Sequence, residues 1–126
     1  MTLVLDAGAF LAVERGNRDI AALLKGELLA GRTPLTSGAV IGQIWRGGGG
    51  KQANIARLLH ATEIAPLDDT LGRRVGMLLA RARTADVVDA AVVLLATPGD
   101  LILTSDAADL RPLAEAAGIT VAILAV

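Results

Sequence analysis

The chain has 126 residues and a formal net charge of −1, so its composition carries no electropositive footprint of a nucleic-acid binder. It contains no cysteine, which excludes disulfides and thiolate metal sites, and a single histidine, His60, which argues against zinc. No apolar run approaches the roughly 20 residues that cross a bilayer, and the start, MTLVLDAGAF, has no basic region ahead of its apolar stretch, so neither a membrane span nor a signal peptide is expected and the reading is of a cytoplasmic protein.

The elements follow in chain order. TLVL (2–5) reads as a buried strand ending at Asp6, and AGAFLAVERG as a short helical turn closed near Gly16. Residues 17–31 have helical spacing, with Ile20, Leu23, Leu24 and Leu28 on one face and Gly31 as the cap. TPLT (33–36) is a short candidate strand. Ser37 is placed to cap a helix running through GAVIGQIWR to Arg46. The four glycines 47–50 break the pattern and predict a flexible joint. A helix over 51–61, a strand over 62–67 and a helix over 68–82 come next, the last with Asp68 or Asp69 at its start. TADVVDAAVVLLA (84–96) is the most apolar helical run. A loop at TPGD, a strand at LILT (101–104), a helix over 106–118 and a final strand at ITVAILAV complete the chain.

Strands and helices alternate, and most strands are continuous apolar runs, as expected when both faces of a parallel sheet are covered. The prediction is one domain over 1–126, an α/β fold with three α/β/α layers and a mainly parallel central sheet.

Four aspartates stand out against this frame. Asp6 follows the first strand directly, and Asp106 follows LILT with Ser105 between. Asp86 and Asp89, three apart, open the apolar helix on one face. Helix starts and strand carboxyl ends lie at the same edge of an α/β sheet, where ligands bind. Gathering carboxylates there is costly: two charges about 5 Å apart repel by roughly 3 kcal/mol at an effective dielectric near 20. A divalent cation with oxygen ligands, Mg²⁺ or Mn²⁺, offsets the repulsion. Taken singly, Asp6, Asp86 and Asp106 also read as helix N-caps, with Asp89 and Asp109 in the third helical position.

LVLDAGAFLA, DVVDAAVV and ILTSDAADL, in this order and spacing, resemble the acidic motifs of PIN domains, metal-dependent nucleases that include the VapC toxins of bacterial toxin–antitoxin pairs. The resemblance covers nearly the whole chain. It implies that Asp6, Asp89 and Asp106 are the first, third and fourth acids of the site, that Asp86 is an additional acid beside the third, and that Mg²⁺ or Mn²⁺ is the cofactor. The second acid of the family is usually a Glu on the helix after the second strand. AVIGQIWR puts Gln43 there, a neutral ligand that supplies neither charge nor proton acceptance. Glu14 is the nearest candidate to compensate, with a solvated surface role as its plainer reading.

The implied reaction is hydrolysis of RNA phosphodiesters, the metal lowering the pKa of a bound water and offsetting phosphate charge. Arg46, three residues beyond Gln43, is read as sharing its helical face and contacting substrate near the acidic rim. Arg15, Arg18, Lys51 and Arg57 are further phosphate contacts or plain surface charges. Trp45 either stacks on a base or packs. Gly38 and Gly42 are costly inside a helix, and close packing, across a dimer for example, would offset that. The resemblance also implies a homodimer and a VapB-like antitoxin partner.

The alternative is a catalytically weakened PIN-like module that binds RNA or an antitoxin without efficient cleavage. A phosphoacceptor receiver domain fits poorly, because Asp6 stands alone and the only lysines are Lys25 and Lys51. Dinucleotide binding lacks its GxGxxG after a strand.

Overall fold

The structure, a computed structural model, describes residues 1–126. Five strands form one all-parallel sheet: β1 (Leu3–Leu5), β2 (Leu35–Ser37), β3 (Glu63–Ala65), β4 (Leu101–Thr104) and β5 (Ala122–Ala125). The spatial order is β3-β2-β1-β4-β5. The chain builds outward from β1 to β3, then returns across the sheet to lay β4 on the other side of β1. β1 and β4 therefore flank the point where the strand order reverses. Their register pairs Leu3 with Leu101, Val4 with Ile102 and Leu5 with Leu103.

Seven helices cover the two faces: α1 (Ala7–Glu14), α2 (Arg18–Leu29), α3 (Gly38–Ile44), α4 (Ala53–His60), α5 (Asp69–Ala82), α6 (Val87–Leu95) and α7 (Ala107–Ala117). α1 packs against α2, α3 and α4 in one layer, and α5, α6 and α7 pack on one another in the second. This is the expected α/β/α sandwich. Because both faces of the sheet are covered, β1 is buried throughout and β4 from Ile102 on. Together with Phe10, Val40, Ile55, Val92 and Leu110 they belong to one continuous apolar core. No helix is long and apolar enough to cross a membrane.

Local chemistry accounts for the helix ends. Asn17 caps α2, its side chain accepting from the Asp19 and Ile20 amides, and Asp68 caps α5 through the Leu71 amide. α7 ends at Gly118 in the left-handed conformation, φ 69°.

Several boundaries lie two or three residues inside expectation: α4 begins at Ala53, α6 at Val87, and β3 ends at Ala65. The final strand begins at Ala122, not Ile119. α3 stops at Ile44, not Arg46, and Trp45 is extended. The cause lies eight residues downstream. Gln52 is buried, its Nε2 donates to the Ile44 carbonyl (2.7 Å), and its Oε1 accepts from the Arg46 (2.9 Å) and Gly48 (3.0 Å) amides. The four-glycine segment is thus a hydrogen-bonded turn, not simply a flexible joint. Gly47 and Gly48 both take positive φ, and a Cβ on Gly48 would stand 2.7 Å from the Trp45 ring. The Trp45 ring lies over its own turn and is 38% exposed, so it is not a core residue. A methyl group added at Gly42 would meet no neighbour within 4 Å, so no close packing within this chain accounts for that glycine.

Candidate functional site

Three chain segments meet at the carboxyl ends of β1 and β4. The Asp6 amide donates to the Leu103 carbonyl (3.0 Å), which carries the β1–β4 pairing up to the acid itself. The Asp6 side chain is buried. Its Oδ1 accepts from the Ala7 amide (2.8 Å), starting α1, and its Oδ2 accepts from the Thr104 hydroxyl (2.7 Å). Thr104 Oγ1 in turn accepts from the Asp106 amide (2.9 Å). One threonine, the last residue of β4, links the first and last acids.

Asp106 stands where an N-cap stands, but its side chain makes no capping bond. Its carboxylate is exposed and uncommitted. The capping expectation therefore holds for Asp6 and for Asp86, which accepts from the Asp89 amide (2.9 Å), and fails for Asp106. Asp89 is buried in the first turn of α6, only 8% exposed.

The electrostatics join the four groups. Burial raises the Asp6 carboxyl above its ordinary range, the Thr104 and Ala7 hydrogen bonds pull it back in part, and the charges of Asp106 and Asp86 push it up again. Asp89 is pushed up to about 7 by burial first, and then by Asp86, Asp6, Asp106 and Asp109. No cation is among the charges that act on Asp89. Acids from β1, α6 and the start of α7 thus repel one another at a single rim, with no arginine or lysine to neutralise Asp89.

The four side chains do not form a ready ligand cage. No three His, Cys, Asp or Glu side chains stand together as a group that could hold a metal ion. In chemistry the donors fit a hard divalent cation, being all carboxylate oxygens. In position they do not yet fit it: Asp106 alone is both exposed and free to turn, whereas Asp6 and Asp86 hold capping bonds. Asp86 and Asp89 also line a cavity of about 390 Å³ with Ala82, Thr84, Asp109 and Pro112.

Gln43 and Arg46 line another cavity, of about 500 Å³, with Glu14, Lys51 and Gln52; none of the four aspartates lines it. Arg46 is beyond the end of α3, so it does not share a helical face with Gln43. Its guanidinium donates to the carbonyls of Gly42 (3.1 Å) and Trp45 (2.7 Å). Glu14 shares this second cavity and is not among the charges that act on Asp6 or Asp89.

Two residues at the rim carry no signal of their own in the sequence. Thr104 reads there only as the end of a strand. Gly8 reads as part of an apolar helix, yet a Cβ on it would meet the Ser105 amide nitrogen at 2.6 Å. This close approach seats α1 against the turn that presents Asp106.

The chain matches no protein-family model and no curated protein.

Proposed function

We propose that this protein is a divalent-metal-dependent ribonuclease of the PIN type, similar to VapC toxins, that hydrolyses RNA phosphodiester bonds. One observation carries the reading: Asp6, Asp86, Asp89 and Asp106, distant in sequence, act on one another electrostatically at the point where the sheet order reverses between β1 and β4. That crevice is where open α/β sheets bind ligands.

Asp6, Asp89 and Asp106 would hold Mg²⁺ or Mn²⁺, with Asp86 as a further ligand. When bound, the ion supplies charge to offset the attacked phosphate and lowers the pKa of water. The chain's own residues do the rest. Thr104 fixes the Asp6 carboxylate by its hydrogen bond. The Asp106 carboxylate, which makes no capping bond, would be available to the ion as a ligand. Asp89, its carboxyl pushed up to about 7 by burial and the neighbouring acids, would give up its proton more readily beside a bound cation.

The second reading, a weakened module that binds RNA or an antitoxin without efficient cleavage, is favoured by two observations. Gln43 is neutral and lines a cavity that none of the four aspartates lines, and no three acids form a ready cage. Cleavage of single-stranded RNA by the purified protein in Mn²⁺ separates the readings. Metal-dependent cleavage lost in Asp6→Asn supports the ribonuclease. Cleavage that appears only in Gln43→Glu supports the weakened module. A homodimer, a VapB-like antitoxin and a cytoplasmic setting belong to the same proposal, and co-expression with the product of an adjacent reading frame tests the antitoxin.

A further inference from the structure

We propose that the cavity bounded by α1, α3 and the 46–52 turn binds a ribonucleotide, its phosphate held by Arg46 and Lys51 and its ribose hydroxyls by Glu14. None of the four aspartates lines this cavity, so the inference rests on neither the metal site nor the ribonuclease reading.

The cavity holds about 500 Å³, inside the range of roughly 300–1,000 Å³ typical of small-molecule sites. Its polar lining comes from three segments. Glu14 ends α1, Gln43 lies in the last turn of α3, and Arg46 and Lys51 flank the glycine turn. The buried Gln52 brings the last two together. By accepting from the Arg46 and Gly48 amides and donating to the Ile44 carbonyl, it folds the turn back on the end of α3. Two cations that stand apart in sequence then line one space.

Two observations point to a ligand. The charged lining groups are unpaired: the ion pairs of the protein, Arg32 with Glu27 and Arg73 with Asp69, use neither Glu14, Arg46 nor Lys51. Arg46 commits only Nη1 to the Gly42 and Trp45 carbonyls, which leaves Nε and Nη2 for a ligand. The second observation concerns Gly49 and Gly50, which also line the cavity. Gly47 and Gly48 take positive φ, but Gly49 and Gly50 do not, and a Cβ on either would meet no atom within 4 Å. Neither the backbone nor the packing of this chain asks for glycine at these two positions. A ligand lying close against the backbone does.

The mixture of charges selects the ligand. Arg46 and Lys51 alone would suit any anion, but Glu14 opposes a bare one. A ribonucleotide uses both signs. Its phosphate accepts from the planar guanidinium of Arg46 and the ammonium of Lys51, and its ribose hydroxyls donate to the Glu14 carboxylate, which can only accept. Gln43, with donor and acceptor on one amide, suits the edge of a base.

Calorimetric titrations in EDTA test this with each common ribonucleoside 5′-monophosphate, its 2′-deoxy counterpart, and a short mixed-sequence single strand as RNA and as DNA. Saturable binding of a ribonucleoside monophosphate marks a free nucleotide as the ligand, and binding of the RNA strand alone marks a nucleotide within a strand; both support the site. Lys51→Ala is expected to weaken binding about three- to ten-fold and to lower its salt dependence, as loss of a phosphate contact does. Glu14→Ala is expected to keep the salt dependence and to erase the preference for ribose over deoxyribose. Neither side chain is in an ion pair, so both variants are expected to melt near the wild type. Absence of binding by every probe, or affinity and ribose preference unchanged in both variants, overturns the proposal. Either failure leaves the ribonuclease reading standing, because that reading is judged in Mn²⁺ on the Asp6→Asn protein.

Discussion

The Thr104 hydroxyl stands 2.7 Å from Asp6 Oδ2 across 98 residues of sequence, and the same hydroxyl receives the Asp106 amide. A single buried oxygen thus sets the orientation of one acid and the backbone entry to another. Replacing it is informative because valine keeps the shape and removes only the oxygen.

Thr104→Val is expected to destabilise the protein by about 1–3 kcal/mol, because it leaves a buried carboxylate short of a donor. The Asp6 carboxyl rises further from its ordinary range for the same reason, since that hydrogen bond is the largest influence holding it down. Urea denaturation of the two proteins measures the first effect, and carboxyl titration by NMR the second.

Gly8→Ala is expected to cost about 1–3 kcal/mol by overpacking, since the added carbon meets Ser105 backbone at 2.6 Å. Gly72→Ala, in α5 with open space around it, is expected to stabilise by about 0.4–1 kcal/mol. Thermal melts of the pair check that the cost at Gly8 comes from the close approach and not from helix propensity.

Stability of the metal-free protein is expected to fall as pH rises from about 4 to about 7. In that window folded Asp89 keeps a proton that the unfolded chain has lost, because its carboxyl is pushed from 3.8 to about 7. The slope approaches about 1.4 kcal/mol per pH unit at its steepest. Asp89→Asn is expected to flatten the profile and to be more stable than the wild type above pH 7. Asp100 acts in the opposite sense. Burial works to raise its carboxyl, but donors from Thr97 and Thr2 and the N-terminal charge outweigh it and lower it. Its contribution is present above the ordinary carboxylate range and is lost as the pH falls through the lowered value. Denaturation across pH, with Asp89→Asn and Asp100→Asn beside the wild type, separates the two.

Gln52→Leu is expected to destabilise by about 1–3 kcal/mol, because it strips partners from the Arg46 and Gly48 amides and the Ile44 carbonyl. Hydrogen exchange at the Arg46 and Gly48 amides is expected to quicken well beyond any change in α6.

Periodicity and caps make much of this fold legible in the chain itself. The apolar run after Asp86 and the spacing of Leu71, Val75 and Leu78 in α5 need no partner to be read. The meeting of Asp6, Asp89 and Asp106 is legible too, because strand ends and helix starts share an edge in any parallel α/β sheet. What is hidden depends on contacts between distant residues. Nothing near Ile44 announces that Gln52 will cap it, and nothing near Asp6 says that the Thr104 hydroxyl will reach its carboxylate from 98 residues away. The left-handed turn that ends α5 at Arg83 (φ 57°) is hidden as well, because only the backbone angles reveal it.

Calorimetric titration of Mn²⁺ into the purified protein, at a pH above the Asp89 value of about 7, tests the acidic rim most directly. The expected result is saturable binding in the wild type that is lost in both Asp6→Asn and Asp106→Asn, with both variants still folded by circular dichroism. Wild-type protein that takes up no Mn²⁺, or variants that bind it as well as the wild type, would contradict a metal site at the junction of β1 and β4.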